Sequence, residues 1–312
     1  MDRSALLRAA NLAGAQARDP RLSLQHTSPA AQSKLAADPD DLVTRALTIL
    51  AEDKMSSGHA QLIQAPNIAR EPRTQSLDLK LQRRVLSDGT ECPLPIRYFD
   101  VQCLVATFLT DLDRAAGLLK STGLQAVSQE DGKAVVLLYC IEYRITDIGP
   151  YNEVGLTVLA AAPGDPIPAN YVVNLPVTTA VASRAGREIW GYNKFVAAID
   201  VKSDGKNFST ILRDTDAEMI GSLEGRRGAS VPTPPTDILT FTLHQGRLIK
   251  TVIRVLTPSS SSSGEDFVFK IGTSSHPMTS NLRTVALDGA RPVLVHYTDP
   301  FQALLFPGGT LA

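Results

Sequence analysis

One lysine of the chain lies among apolar side chains. Lys194 follows Trp190 and Tyr192 and precedes the apolar residues 195–197. Loss of hydration disfavours the charged form of an ammonium group, and a neutral amine attacks carbonyl carbon to form an imine. The pattern therefore predicts Schiff-base chemistry at Lys194. The alternative is a lysine whose stem packs against its neighbours while its charged end reaches water.

Two stretches of the chain resemble the acetoacetate decarboxylase superfamily. Residues 186–194, with the sequence GREIWGYNK, are similar to the segment that leads to the Schiff-base lysine of that family. Residues 149–155, GPYNEVG, resemble its Tyr-x-Glu element and place Glu153 ahead of an apolar strand. The two motifs occur in the family's order and separation, and the similarity extends from residue 93 to the C-terminus.

The resemblance implies an enzyme without a cofactor that forms an imine on Lys194. Glu153 is the candidate for transferring protons or orienting the substrate, because an apolar site can tune a carboxylate for this task. An ion pair between Glu153 and Arg187 or Arg144 is the alternative. The further candidates for substrate contacts are Tyr151, Arg187, Trp190, Tyr192 and Arg97. Aromatic residues in a β core commonly serve packing alone.

Several positions depart from the decarboxylase branch of the family. The imine lysine of that branch has a proline before it and a second lysine after it, whereas this chain has Asn193 and Phe195. The position of its carboxylate-binding arginine falls at Val101, with Arg97 as the nearest substitute, and that of a further acidic residue falls at Leu138. The fold and the imine chemistry depend less on these positions than one particular reaction does. We therefore expect a substrate other than acetoacetate.

The composition is that of an ordinary globular protein, with 312 residues of which 43% are hydrophobic and 20% charged. A formal net charge of -1 provides no global attraction for nucleic acid or an anionic membrane. No stretch reaches the roughly 18 consecutive apolar residues of a membrane span. The three cysteines lack the spacing of a metal site, so we expect reduced, buried thiols in a cytoplasmic protein. No metal site, dinucleotide fingerprint or phosphate-binding glycine loop is expected.

The chain is predicted to divide into a helical, partly flexible N-terminal extension (1–75) and a β domain (76–312). Strand-like runs dominate the second region, with a short helix over 110–119 and hairpin turns at 203–207 and 244–246. Many strands and few helices predict an α+β, mainly β fold with a sheet-based core, either a sandwich or a closed barrel. The resemblance implies an antiparallel, cone-like barrel with peripheral helices, assembled as a homo-oligomer.

Three local predictions concern segments near the candidate site or outside it. Residues 194–201 are predicted to form a strand that places Lys194, Val196 and Ala198 on one face. The serine run 259–263 is predicted to be a flexible surface loop. His276 and His296 are interpreted as structural residues, not metal ligands.

These observations predict a lyase that acts on a small keto acid. Decarboxylation of a β-keto acid larger than acetoacetate is the leading reaction. Loss of carbon dioxide, aldol cleavage and dehydration can each follow from a protonated imine, so aldolase or dehydratase action is the first alternative. A relative that binds a ligand without catalysis is the second. No nucleic-acid or membrane partner is expected.

Overall fold

Most of the described chain is extended. The computed structural model describes residues 82–129 and 131–311, so the predicted N-terminal extension lies outside the described residues. The strands in these ranges are β1 (Gln82–Val85), β2 (Glu91–Leu94), β3 (Ile96–Asp111), β4 (Gln125–Ala126), β5 (Lys133–Thr146), β6 (Tyr151–Ala161), β7 (Ala169–Asn174), β8 (Ala198–Ser203), β9 (Asn207–Arg213), β10 (Met219–Arg226), β11 (Ser230–Thr233), β12 (Ile238–His244), β13 (Arg247–Val255), β14 (Ser259–Ser263), β15 (Phe267–Ile271), β16 (Leu294–Thr298), β17 (Ala303–Leu305) and β18 (Gly309–Thr310). The helices are α1 (Leu112–Gly117), α2 (Ala180–Trp190) and α3 (Pro277–Thr284).

Seven of these strands form a closed ring of hydrogen-bonded neighbours. The order around the ring is β3, β5, β6, β7, β12, β13, β17 and back to β3. Six of the seven pairings are antiparallel, and the pairing of β7 with β12 is parallel. A closed ring leaves no unpaired edge among its members. The mainly β, barrel-like fold predicted from the sequence is confirmed.

The two faces of the barrel wall belong to two different cores. Successive side chains of a strand point to opposite faces, and β5 shows this over its whole length. Leu138 and Cys140 pack in an outer core with Phe208, Ile220 and Phe267 of a second sheet. Their neighbours at positions 137, 139, 141 and 143 pack in an inner core, inside the ring. The second sheet has the order β15, β10, β9, β8 and covers the outer face.

Helices α1 and α3 pack in the outer core, whereas α2 contributes Ala182, Ala185 and Trp190 to the inner core. The predicted short helix is confirmed as α1, which begins directly after β3 at the N-cap Asp111. Helix α3 packs Met278 and Leu282 in the outer core. No helix in the described ranges combines the length and apolar character needed to cross a bilayer.

Both predicted hairpins are present. The turn between β8 and β9 contains Gly205 with φ of 89°, a left-handed conformation that glycine adopts without steric cost. Gln245 and Gly246, with φ of 51° and 75°, connect β12 to β13. Two successive residues with positive φ produce the twist that antiparallel neighbours require.

The prediction of one strand over 194–201 is wrong. Strand β8 begins only at Ala198, and Val196 is 43% exposed. Lys194 is buried, whereas Val196 and Ala198 both face solvent, so the three do not share a face. The reason is a tight turn in which the Lys194 amide donates to the carbonyl of Tyr192 at 2.7 Å. This turn shifts the alternation of the residues that follow.

The prediction of a flexible loop over the serine run is also wrong. These residues form β14, which pairs with β11 on one side and with β16 on the other. Ser261 is 2% exposed, and its hydroxyl lies 3.0 Å from that of Thr233. Serine has little preference for strands by itself, so the pairing on both sides overrides the composition.

The three cysteines are unpaired and buried. Burial raises the pKa of the Cys92 thiol to about 11 and that of the Cys103 thiol to about 12, and it raises the pKa of Cys140 as well. Because the thiolate is the reactive form, each group stays unreactive well above neutral pH.

We predict that the native protein reacts with Ellman's reagent only as fast as it unfolds. Titration near pH 8 should detect essentially no thiol in the native state and all three after addition of guanidinium chloride. Raising the pH by about one unit should change the native rate little, because the thiol pKa values lie higher still. Rapid labelling of one thiol in the native protein would contradict this prediction.

Candidate active site

A lysine and a glutamate meet inside the barrel. The Nζ atom of Lys194 donates to Oε2 of Glu153 at 2.6 Å. Both side chains are 7% exposed, so water screens the two charges little. Glu153 comes from β6 in the barrel wall, and Lys194 comes from the connection between α2 and β8. Glu153 therefore has Lys194 as its ionic partner instead of the alternatives, Arg187 and Arg144.

The end of helix α2 determines the position of the Lys194 backbone. The N-cap of the helix is Thr179, whose side chain accepts a hydrogen bond from the amide of Ala182. The C-cap is Gly191, which has a left-handed conformation with φ of 67°. The chain then folds back, and the stem of Lys194 crosses the helix at Gly186. A Cβ atom at Gly186 would lie 2.5 Å from Cδ and 2.7 Å from Cε of Lys194. Gly186 thus provides the space for the stem of Lys194.

Backbone pairing holds the lysine segment against the chain that follows β7. The amide of Leu175 donates to the carbonyl of Asn193 at 3.0 Å, and the amide of Val177 donates to the carbonyl of Phe195 at 2.9 Å. The side chain of Asn193 adds a hydrogen bond from Nδ2 to the carbonyl of Val173 at 2.8 Å. Asn193 stands where the decarboxylase branch has proline, and its amide secures the turn before the lysine.

A tyrosine orients the carboxylate from its other side. The hydroxyl of Tyr143 donates to Oε1 of Glu153 at 3.1 Å, which leaves Oε2 for the lysine. The Tyr143 ring stacks on Tyr151 with a centroid distance of 4.2 Å. Burial raises the pKa of Tyr143 and Tyr151 well above the usual phenol value, so both hydroxyls remain protonated donors. Tyr143 is not among the site residues expected from the sequence, although the alternation of apolar and polar residues at the end of β5 places it on the inner face.

An enclosed cavity adjoins the ion pair. It has a volume of about 70 Å³ and is lined by Lys194, Glu153, four tyrosines including Tyr192, and mostly aliphatic side chains. The Nζ atom of Lys194 lies 5.6 Å from the ring centroid of Tyr151 and 5.9 Å from that of Tyr192. Aromatic faces at these distances attract an ammonium group. Lys194 is the single cationic residue among the described residues that line the cavity.

Arg97 lies apart from this cavity. Its guanidinium Nη2 pairs with Oδ1 of Asp147 at 2.8 Å, and its side chain is 39% exposed. Val101, at the position of the family's arginine, is fully buried in the inner core, and Leu138 packs in the outer core. Neither the arginine nor the second acidic residue of the decarboxylase branch therefore has a replacement in the described lining of the cavity.

The aromatic and charged residues of segment 186–194 have different surroundings. Trp190 is buried, and its Nε1 donates to the carbonyl of Phe306 at 2.7 Å. Arg187 is exposed and lines a separate, open cleft of about 1020 Å³ on the surface. Tyr192 lines both the cleft and the enclosed cavity, so its ring lies between them.

Neither His276 nor His296 belongs to a metal-binding cluster among the residues that the structure describes. His276 caps α3 by accepting from the amide of Met278, and its ring packs 4.2 Å from that of Phe195. His296 is half-buried in β16, and loss of hydration lowers its pKa to about 4. Among the residues that the structure describes, no group of three or more His, Cys, Asp or Glu side chains is arranged to hold a metal ion.

The sequence matches one family. Residues 86–237 match the model of the family described as Acetoacetate decarboxylase (ADC), a range that contains Glu153, Tyr143 and Lys194. Over these residues, the match confirms the resemblance to the acetoacetate decarboxylase superfamily that was expected from the sequence. A comparison with curated proteins finds no match.

Solved structures share the superfamily fold at low sequence identity. The acetoacetate decarboxylase from Legionella pneumophila subsp. pneumophila str. Philadelphia 1 is 14% identical with a TM-score of 0.55, over 80% of this chain and 98% of that one. The enduracididine biosynthesis enzyme MppR complexed with pyruvate is 15% identical with a TM-score of 0.54, over 71% and 91%. MppR complexed with the condensation product of pyruvate and imidazole 4-carboxaldehyde gives the same identity and TM-score, over 71% and 90%.

We predict that Gly186→Ala displaces the lysine. The added methyl would meet the stem of Lys194, whereas alanine favours the helix itself. The rate of borohydride trapping of a ketone on Lys194 should fall by about 100-fold while the circular dichroism spectrum stays unchanged. Gly228→Ala is the matched control, because a Cβ there would have no atom within 4 Å. Equal trapping rates in the two variants would show that the stem does not need this space.

We also predict that the two charges are coupled in stability. Lys194→Met and Glu153→Gln should each lower the free energy of unfolding by about 3 kcal/mol, because each leaves one partner buried without its counter-ion. The double variant should be more stable than either single variant. Urea denaturation of the four proteins measures this cycle. Additive losses in the double variant would contradict the coupling.

Proposed function

We propose that the protein is a lyase that forms an imine between Lys194 and the carbonyl carbon of a β-keto acid and then releases carbon dioxide. The observation that supports this most directly is the 2.6 Å hydrogen bond from Lys194 to Glu153 at the wall of an enclosed, mostly apolar cavity. Lys194 can therefore react only with a molecule that enters the cavity. The match to the acetoacetate decarboxylase family supports the same chemistry.

The ion pair offers a route to a neutral amine. Transfer of one proton from Nζ of Lys194 to Oε2 of Glu153, along their 2.6 Å hydrogen bond, leaves both groups uncharged and frees the lone pair of the nitrogen. The amine then attacks the ketone carbon and gives a carbinolamine. Glu153 returns its proton to the hydroxyl of the carbinolamine, water leaves, and an iminium ion remains beside a restored carboxylate.

Carbon dioxide leaves in the next step. The electron pair of the bond between the carboxylate and its neighbouring carbon moves into the iminium, which becomes an enamine. The enamine carbon takes a proton from solvent, and water hydrolyses the resulting imine to release the ketone and Lys194. The role of Tyr143 is positional: its hydrogen bond to Oε1 keeps Oε2 of Glu153 directed at the reacting nitrogen.

The missing arginine supports decarboxylation. A carboxylate in this cavity finds no cation other than Lys194 among the described lining residues, and an unpaired charge in apolar surroundings is costly. Departure as neutral carbon dioxide removes that cost, so the surroundings destabilise the substrate more than the product. The cavity volume of about 70 Å³ favours a small keto acid over a bulky one.

A condensation through the same imine is the second candidate function. Loss of a proton from the carbon beside the iminium gives an enamine that adds to an aldehyde, without release of carbon dioxide. Two observations favour it. The second lysine of the decarboxylase branch is replaced by Phe195, and MppR, which shares the fold, is complexed with a condensation product of pyruvate and an aldehyde.

Borohydride trapping tests the proposal. Protein incubated with acetoacetate, its homologue longer by one carbon, or pyruvate is reduced and digested, and the adduct is located by peptide mass mapping. We expect the adduct on Lys194 and none in Lys194→Ala. Lys250→Ala is the matched control, because Lys250 is also partly buried and paired, with Asp165, but does not line the cavity.

The products separate the candidate reactions. Release of carbon dioxide from either β-keto acid supports decarboxylation, whereas a new carbon-carbon bond between pyruvate and an added aldehyde supports condensation. An adduct that persists in Lys194→Ala would reject imine chemistry at this lysine. Binding of a keto acid without adduct or product would instead indicate a relative that binds ligands without catalysis.

A further inference from the structure

Thr157 is a buried hydroxyl without a partner. The residue is 2% exposed, and its Oγ1 has no hydrogen-bond partner among the described residues. It lies on β6, four residues after Glu153, and both residues line the cavity beside Lys194. Buried hydroxyl groups nearly always have a partner, so an unpaired one that faces a cavity indicates a ligand.

The neighbouring strands provide no alternative partner. In the register of the sheet, Thr157 lies beside Leu137 of β5 and Val172 of β7, and both side chains are apolar. Thr157, Leu137 and Val172 all point into the barrel, where Leu137 and Val172 belong to the inner core. Neither register neighbour can pair with the hydroxyl, and a polar group that enters the cavity can provide the missing partner.

The position of Thr157 along the strand determines what it can reach. A strand rises by about 3.3 Å per residue, so the Cα atoms of Glu153 and Thr157 are separated by about 13 Å. The reacting nitrogen lies at the Glu153 end, 2.6 Å from its carboxylate. A molecule bonded to Lys194 must extend along β6 before it meets the Thr157 hydroxyl.

We propose that Thr157 hydrogen-bonds an uncharged oxygen of the substrate, two or more carbon atoms away from the carbonyl that condenses with Lys194. This inference rests on the proposed function and specifies its substrate class: a short keto acid with a hydroxyl or a second carbonyl group at its far end. An uncharged group fits because the described lining contains no cation at this end of the cavity that would hold a second carboxylate.

Another threonine provides a matched control. Thr210 is 3% exposed and its Oγ1 also lacks a partner in the described chain, but it lies on β9 of the second sheet. Its neighbours on the same face, Phe208 and Leu212, belong to the outer core, and Thr210 does not line the cavity. Thr157→Val and Thr210→Val therefore make the same chemical change, and each removes an unpaired buried hydroxyl. Neither should lower the melting temperature.

Two ketones that differ in one group test the inference. Hydroxyethyl methyl ketone carries a terminal hydroxyl where methyl propyl ketone carries a methyl group. Each is offered to the wild-type protein and to both variants, and two quantities are measured: the concentration for half-maximal borohydride trapping on Lys194, and the rise in melting temperature without borohydride. We expect the wild type and Thr210→Val to prefer the hydroxy ketone by about tenfold, and Thr157→Val to lose this preference.

Each result decides between the inference and the proposed function. Loss of the preference in Thr157→Val alone supports the role of its hydroxyl. The same preference in Thr157→Val and the wild type, no preference in the wild type, or no binding of either ketone overturns it. A preference seen in melting temperature without trapping on Lys194 would reject the imine and still support Thr157 as a binding residue.

Discussion

The hydrogen bond between Lys194 and Glu153 is the interaction on which the interior of this protein depends. Two opposite charges inside an apolar barrel are expensive to desolvate, and they persist only when each satisfies the other. A barrel filled with aliphatic side chains would be at least as stable. The retention of a charged pair beside a cavity is therefore better explained by chemistry than by stability.

The pair is assembled from two elements that are held in place by different contacts. Glu153 belongs to a strand with hydrogen-bonded neighbours on both sides, which gives it a fixed position. Lys194 belongs to a connecting segment whose position depends on the end of α2 and on pairing with residues 175–177. Gly186 completes the arrangement, because its missing side chain lets the lysine stem pass close to the helix. The strand therefore fixes the position of the Glu153 carboxylate, and the side chain of Lys194 reaches it from the connecting segment.

Part of this arrangement could be predicted from the sequence. The apolar surroundings of Lys194 and the resemblance of two motifs to the acetoacetate decarboxylase superfamily selected Lys194 and Glu153, and period-two alternation located the main strands and hairpins. Helix α2 is amphipathic, but it escaped prediction because most of the residues that it buries are small, such as Ala182, Ala185 and Gly186. The closure of the ring depends on residues far apart in sequence, such as Asn170 and Thr240, whose pairing no local pattern indicates. The hydrogen bond of Tyr143 depends on the same long-range geometry.

The strands of the barrel wall pack one face in the inner core and the other in the outer core, and this limits which sequence changes are tolerated in evolution. A point substitution at an inward position of β5 alters what a ligand meets and leaves the contacts with the second sheet intact. Insertion of a single residue would exchange the two faces, turning Leu138 and Cys140 inward and Tyr139 and Tyr143 outward. Strand length is therefore under strong constraint, whereas the chemistry of the interior is open to stepwise diversification.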